Sequence, residues 1–206
     1  MENVIKIDLQ KLLASNQLIE LELGCGVRTV PGRINIDRID LPGVDIVCDL
    51  EAGLLFIPDS SVDIIYANSF FEHVYNFEGL IREIVRVLKP NGKCVLSVPH
   101  FSNPYYYSDY THKRFFGLYS FYYFVDEKYQ LSRKVPSFYV NTRIKVLSIR
   151  YKFTSRLPVL NRLKQWLSII INASSAFQEI YEENFCYLIP CYSLEVIFAP
   201  DMQEYN

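Results

Sequence analysis

At 206 residues the chain has the length of one domain, and half of its residues are apolar, enough for a sizeable core. Lys and Arg number 21 against 23 Asp and Glu, a net charge of −2, so there is no global basic excess of the kind that marks nucleic-acid binding. No apolar run reaches the roughly eighteen residues of a spanning helix, and the opening MENVIKIDLQKLL does not read as a signal peptide, so neither a membrane span nor a disulfide-built secreted fold is expected.

In chain order, residues 3–15 are expected to form a short helix and residues 18–23 (LIELEL) a strand that runs into Gly24-Cys25-Gly26. Residues 33–37 (RINID), 44–49 (VDIVCD) and 63–68 (DIIYAN) read as three further strands. These runs are short, β-branched and continuous rather than alternating, which suits a parallel sheet covered on both faces. Over residues 77–89 the period changes to that of a helix, with Leu80, Ile81, Ile84, Val85 and Leu88 on one side, Asn76 as N-cap and Pro90-Asn91-Gly92 as the stop. Residues 93–98 (KCVLSV) return to strand, completing a crossover unit. Residues 101–139 hold 15 of the chain's 31 aromatic residues and read as a helical lid packed over the sheet, with Tyr105, Tyr106 and Tyr107 free to stack on a ligand. Residues 140–153 and 192–199 read as two more strands, with helical sequence from about 159 to 184 between them. The five cysteines (25, 48, 94, 186 and 191) contain no CxxC pair and read as buried reduced thiols.

Paired glycines at the end of a strand allow close backbone approach to a ligand at the sheet's edge. The dinucleotide fingerprint is not completed, because position 29 is Thr, and no GxxxxGK[ST] loop is present. Glu22, Asp37 and Asp49 fall at the ends of three consecutive strands. The ordinary reading of one such acid is a solvated strand end. Three in register with the glycines form a rim that repels phosphates and suits a cationic ligand carrying a ribose diol.

Glu22-Leu23-Gly24-Cys25-Gly26, Asn35-Ile36-Asp37, Cys48-Asp49-Leu50, residues 63–68 with Phe71-Glu72-His73, and residues 82–92 together resemble class I S-adenosylmethionine-dependent methyltransferases of the type 11 group. The resemblance is close over about residues 18–100. It implies a single Rossmann-like α/β domain over residues 1–206, built on a mostly parallel seven-stranded sheet with helices on both faces and an antiparallel last strand. Residues 18–100 would be the cofactor-binding half, and residues 101–206 the acceptor side with its aromatic lid and basic helical insertion. It further implies S-adenosyl-L-methionine as cofactor and S-adenosyl-L-homocysteine as product. Glu22, Gly24, Cys25 and Gly26 would surround the methionine part, Asp37 would hold the ribose hydroxyls with Arg38 beside the adenosine, Asp49 and Leu50 would meet the adenine edge, and Asn68 would lie beneath the sulfonium. Only about six residues separate Gly26 from the next strand, so the family's usual helix there is replaced by a turn at Pro31-Gly32.

On the acceptor side Asp109 and His112 are close enough in a turn to pair, which makes them the expected general base, with His100 second. A divalent-metal site from His100, Asp109 and His112 lacks a clear fourth ligand, and no metal is expected. The expected activity is methyl transfer to an oxygen of a small or saccharide-like acceptor in the cytoplasm. The alternatives are a non-catalytic S-adenosylmethionine-binding protein and an RNA methyltransferase, and no nucleic-acid partner is expected. Residues 128–178 contain ten Lys or Arg and no Asp or Glu, so an anionic acceptor or a peripheral membrane contact is expected there.

Overall fold

The computed structural model describes residues 3–15 and 17–201; the outermost residues of the expected 1–206 unit, 1–2 and 202–206, lie outside the described residues, as does Asn16. The strands are β1 (Val4–Ile5), β2 (Glu20–Leu23), β3 (Ile34–Asp37), β4 (Ile46–Val47), β5 (Val62–Asn68), β6 (Leu88–Pro99), β7 (Ile144–Lys152) and β8 (Ser193–Pro200). The helices are α1 (Leu9–Leu13), α2 (Phe77–Val87), α3 (Pro158–Ile171) and α4 (Ser175–Asn184). All eight strands form one sheet in the order β1-β4-β3-β2-β5-β6-β8-β7. β4, β3, β2, β5 and β6 run parallel. The last strand, β8, is antiparallel to both β6 and β7, as the resemblance implied.

The sheet has eight strands rather than seven. The extra one is the two-residue β1, which pairs antiparallel with β4 at the edge, inside a stretch whose pattern reads as helix throughout. Strand order reverses at the β2–β5 boundary, so the carboxyl ends of these two strands flank the crevice where open α/β sheets take ligands.

One face of the sheet carries the core. Leu21, Leu23, Ile34, Ile36, Ile65, Ala67, Cys94, Leu96, Val196 and Phe198 are buried there. They join one cluster with Leu9 of α1, Phe77, Leu80, Ile81, Ile84 and Val87 of α2, Ile171 of α3 and Tyr181 of α4. The opposite face presents Glu20, Tyr66, Val95, Ser97, Glu195 and Arg150, all partly or fully exposed. The α/β class holds, but the expected second helical layer is absent among the described residues. The 24–33 and 38–45 connections, too short for helices, leave that face to loops.

α2 starts where Asn76 accepts a hydrogen bond from the Gly79 N–H at 3.1 Å, and it stops at Val87, two residues earlier than the pattern suggests. Leu88 is already extended ahead of Pro90 and pairs with Val62. The aromatic segment is not a helical lid. It holds only single 3-10 turns at Pro104–Ser108, Tyr122–Phe124 and Glu127–Tyr129. Its rings pack as core all the same: Phe116, Phe121 and Phe124 meet the Phe77 ring edge-on at 5.5–5.8 Å between centroids. The helical stretch after residue 158 is broken at Asn172, whose side-chain amide accepts from the Tyr151 N–H and donates to the Tyr151 carbonyl, acting as a strand partner at the edge of β7. No helix among the described residues is long and apolar enough to cross a membrane.

Candidate active site

The glycine turn after β2 is fixed by β3. Gly24 and Cys25 N–H both donate to the Ile36 carbonyl, and Gly26 N–H donates to Asp37 Oδ2 at 2.8 Å. Gly24 and Gly26 hold φ of +65° and +52°, a conformation that costs other residues energy. A side chain at Gly24 would also collide with the Phe70 ring, whereas the space around Gly26 is open.

A cavity of about 230 Å³ opens at these strand ends, lined among others by Gly24, Asp37, Arg38, Asp49, Leu50 and His73. Asp37 and Asp49 accept only backbone N–H groups, from Gly26, Ile39 and Glu51, and form no ion pair among the described residues. Two carboxylates with acceptor capacity to spare beside an open glycine turn fit a ligand bearing a diol and an amino-substituted base.

Glu22, Cys25 and Asn68 do not reach this cavity. With Gly24 they line a second one of about 480 Å³ on the helix-free face. Glu22 is already neutralised: Arg33 Nη1 lies 2.6 Å from its carboxylate, and the same guanidinium sits 3.3 Å over the Tyr66 ring and 3.7 Å from Glu20. Sequence reasoning passed over Arg33, which takes the ground a helix would occupy. The Cys25 side chain joins a small apolar cluster with Val44 and Val47. All five cysteines are free and buried, as their apolar contexts suggested.

His73 leads from the first cavity to the acceptor-side residues. Its ring centroid is 5.0 Å from that of His112. His112 Nδ1 lies 2.9 Å from the Tyr106 carbonyl, which can only accept, so Nδ1 carries the proton and Nε2 the lone pair. Asp109 Oδ2 stands 3.6 Å from His112 Nε2, beyond a good hydrogen bond, so the ring is oriented by Tyr106 rather than by Asp109. The Thr111 hydroxyl and N–H both donate to Asp109 and hold its carboxyl below the usual range. Glu72, quoted above without a role, is 1 % exposed beside these rings, and burial pushes its carboxyl up to about 7.

His100 is not brought to this group. It is fully buried, with Nδ1 accepting from the Ser102 N–H at 3.1 Å and Nε2 at 3.1 Å from Glu182 Oε2. Glu182 also accepts from the Tyr151 hydroxyl and the Leu118 N–H. With both ring nitrogens committed inside the core, His100 joins α4 to the strand ends and is removed from the candidate bases. Of the three tyrosines expected to be free, Tyr105 and Tyr107 are exposed, but Tyr106 is buried and donates to the Arg114 carbonyl.

Residues 24–96 match the family model described as a methyltransferase domain. Over this segment, about a third of the chain, the protein is similar to that family. A solved S-adenosylmethionine-dependent methyltransferase from Archaeoglobus fulgidus superposes over 92% of this chain and 89% of its own, with 16% identity and a TM-score of 0.56. A chain from the complex between the Haloferax volcanii Trm112 methyltransferase activator and its methyltransferase aligns over 93% and 88%, with 13% identity and a TM-score of 0.50. At such identities the likeness shows the fold. No curated protein matches the chain. The strand-end cavity with its two acids suits S-adenosylmethionine, the cofactor of the Archaeoglobus fulgidus protein.

Proposed function

We propose that this methyltransferase acts on an oxygen of a small or saccharide-like acceptor, with residues 18–100 holding the donor and residues 101–201 the acceptor. S-adenosylmethionine, when bound, supplies a methyl group on an already cationic sulfur, so the protein has only to position the nucleophile and manage its proton. Asp37 would accept from the ribose hydroxyls, Asp49 and Leu50 would face the base with Arg38 alongside, and Gly24 would let the backbone come close. Glu22, Cys25, Gly26 and Asn68 contribute from the far side of the glycine turn, with Glu22 acting only after Arg33 releases it. His112 Nε2 takes the acceptor's proton, and Asp109 then faces the imidazolium it creates.

The observation that carries this reading is His73, which lines the donor cavity on one side and meets the His112 ring on the other. The test is methyl transfer from isotopically labelled S-adenosylmethionine to a panel of hydroxylated saccharides and small alcohols, followed by mapping of the labelled atom. Label on nitrogen would refute the oxygen acceptor. Donor binding without transfer to any acceptor would favour a non-catalytic binding protein, and transfer to RNA alone would favour the second alternative.

A second reading concerns where the acceptor is met. Of α3 only Ile171 is buried, while Val159, Leu163, Trp166 and Ile170, which share a face by helical spacing, are exposed, Val159 at 78% and Trp166 at 58%. By burial this face does not pack into the core. Arg162 lies beside this face by helical spacing, and Arg156 just precedes the helix, both within the acid-free stretch 128–178. Apolar stripe and cations together suit an anionic lipid surface carrying or adjoining the acceptor. Co-sedimentation with phosphatidylserine vesicles at low and high salt, against a Leu163→Glu, Trp166→Glu variant, decides it: no wild-type binding at low salt refutes the membrane contact.

A further inference from the structure

Glu72, His73 and His112 form a cluster in which Glu72 and His73 take no part in the proposed methyl transfer. One candidate ligand atom from each of the three lies within 4.8 Å of the others, the one group of its kind among the described residues. We propose that these three side chains bind a divalent transition-metal ion of the zinc, manganese or iron(II) class beside the donor cavity. A metal held there would occupy the His112 Nε2 lone pair, so metal binding and the base role of His112 exclude each other.

The protonation pattern of the rings supports this. His112 gives its Nδ1 proton to the Tyr106 carbonyl, 2.9 Å away. Thr111 spends its hydroxyl proton on Asp109 Oδ1 at 2.5 Å, so toward His73 Nδ1, 3.0 Å away, the same oxygen can only accept. The Thr111 carbonyl, 3.4 Å from that nitrogen, accepts as well. Both imidazoles are therefore held with the proton on Nδ1 and the lone pair on Nε2, the arrangement that metal-bound histidines owe to their outer hydrogen bonds.

The third ligand is an orphan. Glu72 Oε2 is buried with no hydrogen-bond partner among the described residues. Buried polar atoms are nearly always paired, and an unpaired carboxylate oxygen is costly enough to call for a partner that the protein itself does not supply. A cation would be that partner. Two imidazoles and one carboxylate suit zinc, manganese or iron(II) better than magnesium or calcium, which prefer all-oxygen sites.

The site is also built to hold its shape. Glu72 and His73 are neighbours in the 3-10 turn Phe71–His73, and the Lys113 and Arg114 N–H groups both donate to the Glu72 carbonyl. That staple fixes the turn against the segment that carries His112. Three protein ligands leave positions open, and His73 places them by the cavity where the acceptor is proposed to approach. This last step rests on the donor-cavity reading; the metal site itself does not.

The experiment uses the full chain, stripped with chelator, and Co²⁺ as the probe with no methyl donor present. Equilibrium dialysis and visible absorption are expected to show one equivalent bound with ligand-field bands. Glu72→Gln, His73→Ala and His112→Ala are each expected to weaken binding by at least about tenfold, since even outer-shell partners are worth that much. Failure of the wild type to take up Co²⁺, or uptake unchanged in all three variants, overturns the proposal. Should Glu72→Gln fail to fold, the two histidine variants decide. Donor affinity measured on the same samples separates the two readings: S-adenosylmethionine binding without Co²⁺ uptake sinks the metal site alone, and Co²⁺ uptake without donor binding sinks the donor-cavity reading alone.

Discussion

The Phe70 ring fills the space that a side chain at Gly24 would need: a Cβ there would stand 2.6 Å from Phe70 Cγ. Both residues line the strand-end cavity, so its floor and its aromatic wall are fitted to each other. Gly24→Ala is therefore expected to cost about 1–3 kcal/mol of stability, from positive φ and overlap together. In a Phe70→Ala background the ring overlap is gone, which leaves the φ cost and the close approach of the residue-70 Cβ at 2.9 Å. Urea denaturation of the four proteins in this cycle should show a smaller penalty for Gly24→Ala when Phe70 is absent; equal penalties would mean the two residues do not interact.

Asp37→Ala is expected to weaken S-adenosylmethionine binding by about 1–3 kcal/mol, the loss of a charge-assisted hydrogen-bonding partner. Because Asp37 also accepts from Gly26 and Ile39 N–H, part of the effect will appear as a looser glycine turn. Calorimetry on the folded variant measures it, and wild-type affinity would remove Asp37 from the donor site.

His112→Ala and Asp109→Asn are expected to leave donor affinity nearly intact and to lower turnover by about 10²–10⁴-fold, the range for a lost general base. Single-turnover rates with the acceptor found by the labelling screen give the answer. Full rates in both variants would exclude the pair from the chemistry.

His100→Ala should behave differently. It leaves Glu182 and the Ser102 N–H facing a cavity in the core, so a loss of about 2–4 kcal/mol in stability is expected. Turnover per folded molecule should stay close to wild type at a temperature where the variant is folded. A selective loss of turnover in a protein of unchanged melting temperature would return His100 to the catalytic candidates.

Asp63 makes part of the fold's stability depend on acid. Burial works to raise its carboxyl, but the Lys89 ammonium at 2.7 Å and the Ile19 N–H at 2.9 Å outweigh it and hold the carboxyl below its ordinary value of 3.8. A carboxyl depressed in the folded state adds stability that is present above the unfolded value and is lost as pH falls through the folded one. Denaturant midpoints of wild type and Asp63→Asn should therefore differ at pH 6 and converge as pH falls below about 4. A gap that stays constant over that range would assign the difference to something other than this charge.

The parallel strands were legible because β2, β3 and β5 are short apolar runs ended by Gly, Asp or Asn, and α2 because its period and its Asn76 cap agree. β1 was not, since two residues carry no period and owe their conformation to β4. The aromatic segment gave its burial but not its shape: rings at every spacing satisfy a core without specifying a helix. In the site, glycines and acids at strand ends could be read locally. Glu72 could not, because its meaning depends on residues 109–114 arriving from about forty positions away. His100 misled for the same reason, its partner Glu182 being 82 residues distant. Arg33 left a signal that could have been used, a cation four residues before the acid that ends β3 and one strand over from two glutamates on β2.

The one-sided sheet has a thermodynamic signature. With α1 to α4 all joined to a single cluster, and Ser97, Glu195 and Arg150 wet on the reverse side, unfolding exposes less new apolar surface per strand than it would in a three-layer sandwich of equal length. Both the denaturant m-value and the heat-capacity increment scale with that surface. The chain should thus unfold with a shallow urea dependence and a flat stability curve, losing little of its stability on cooling.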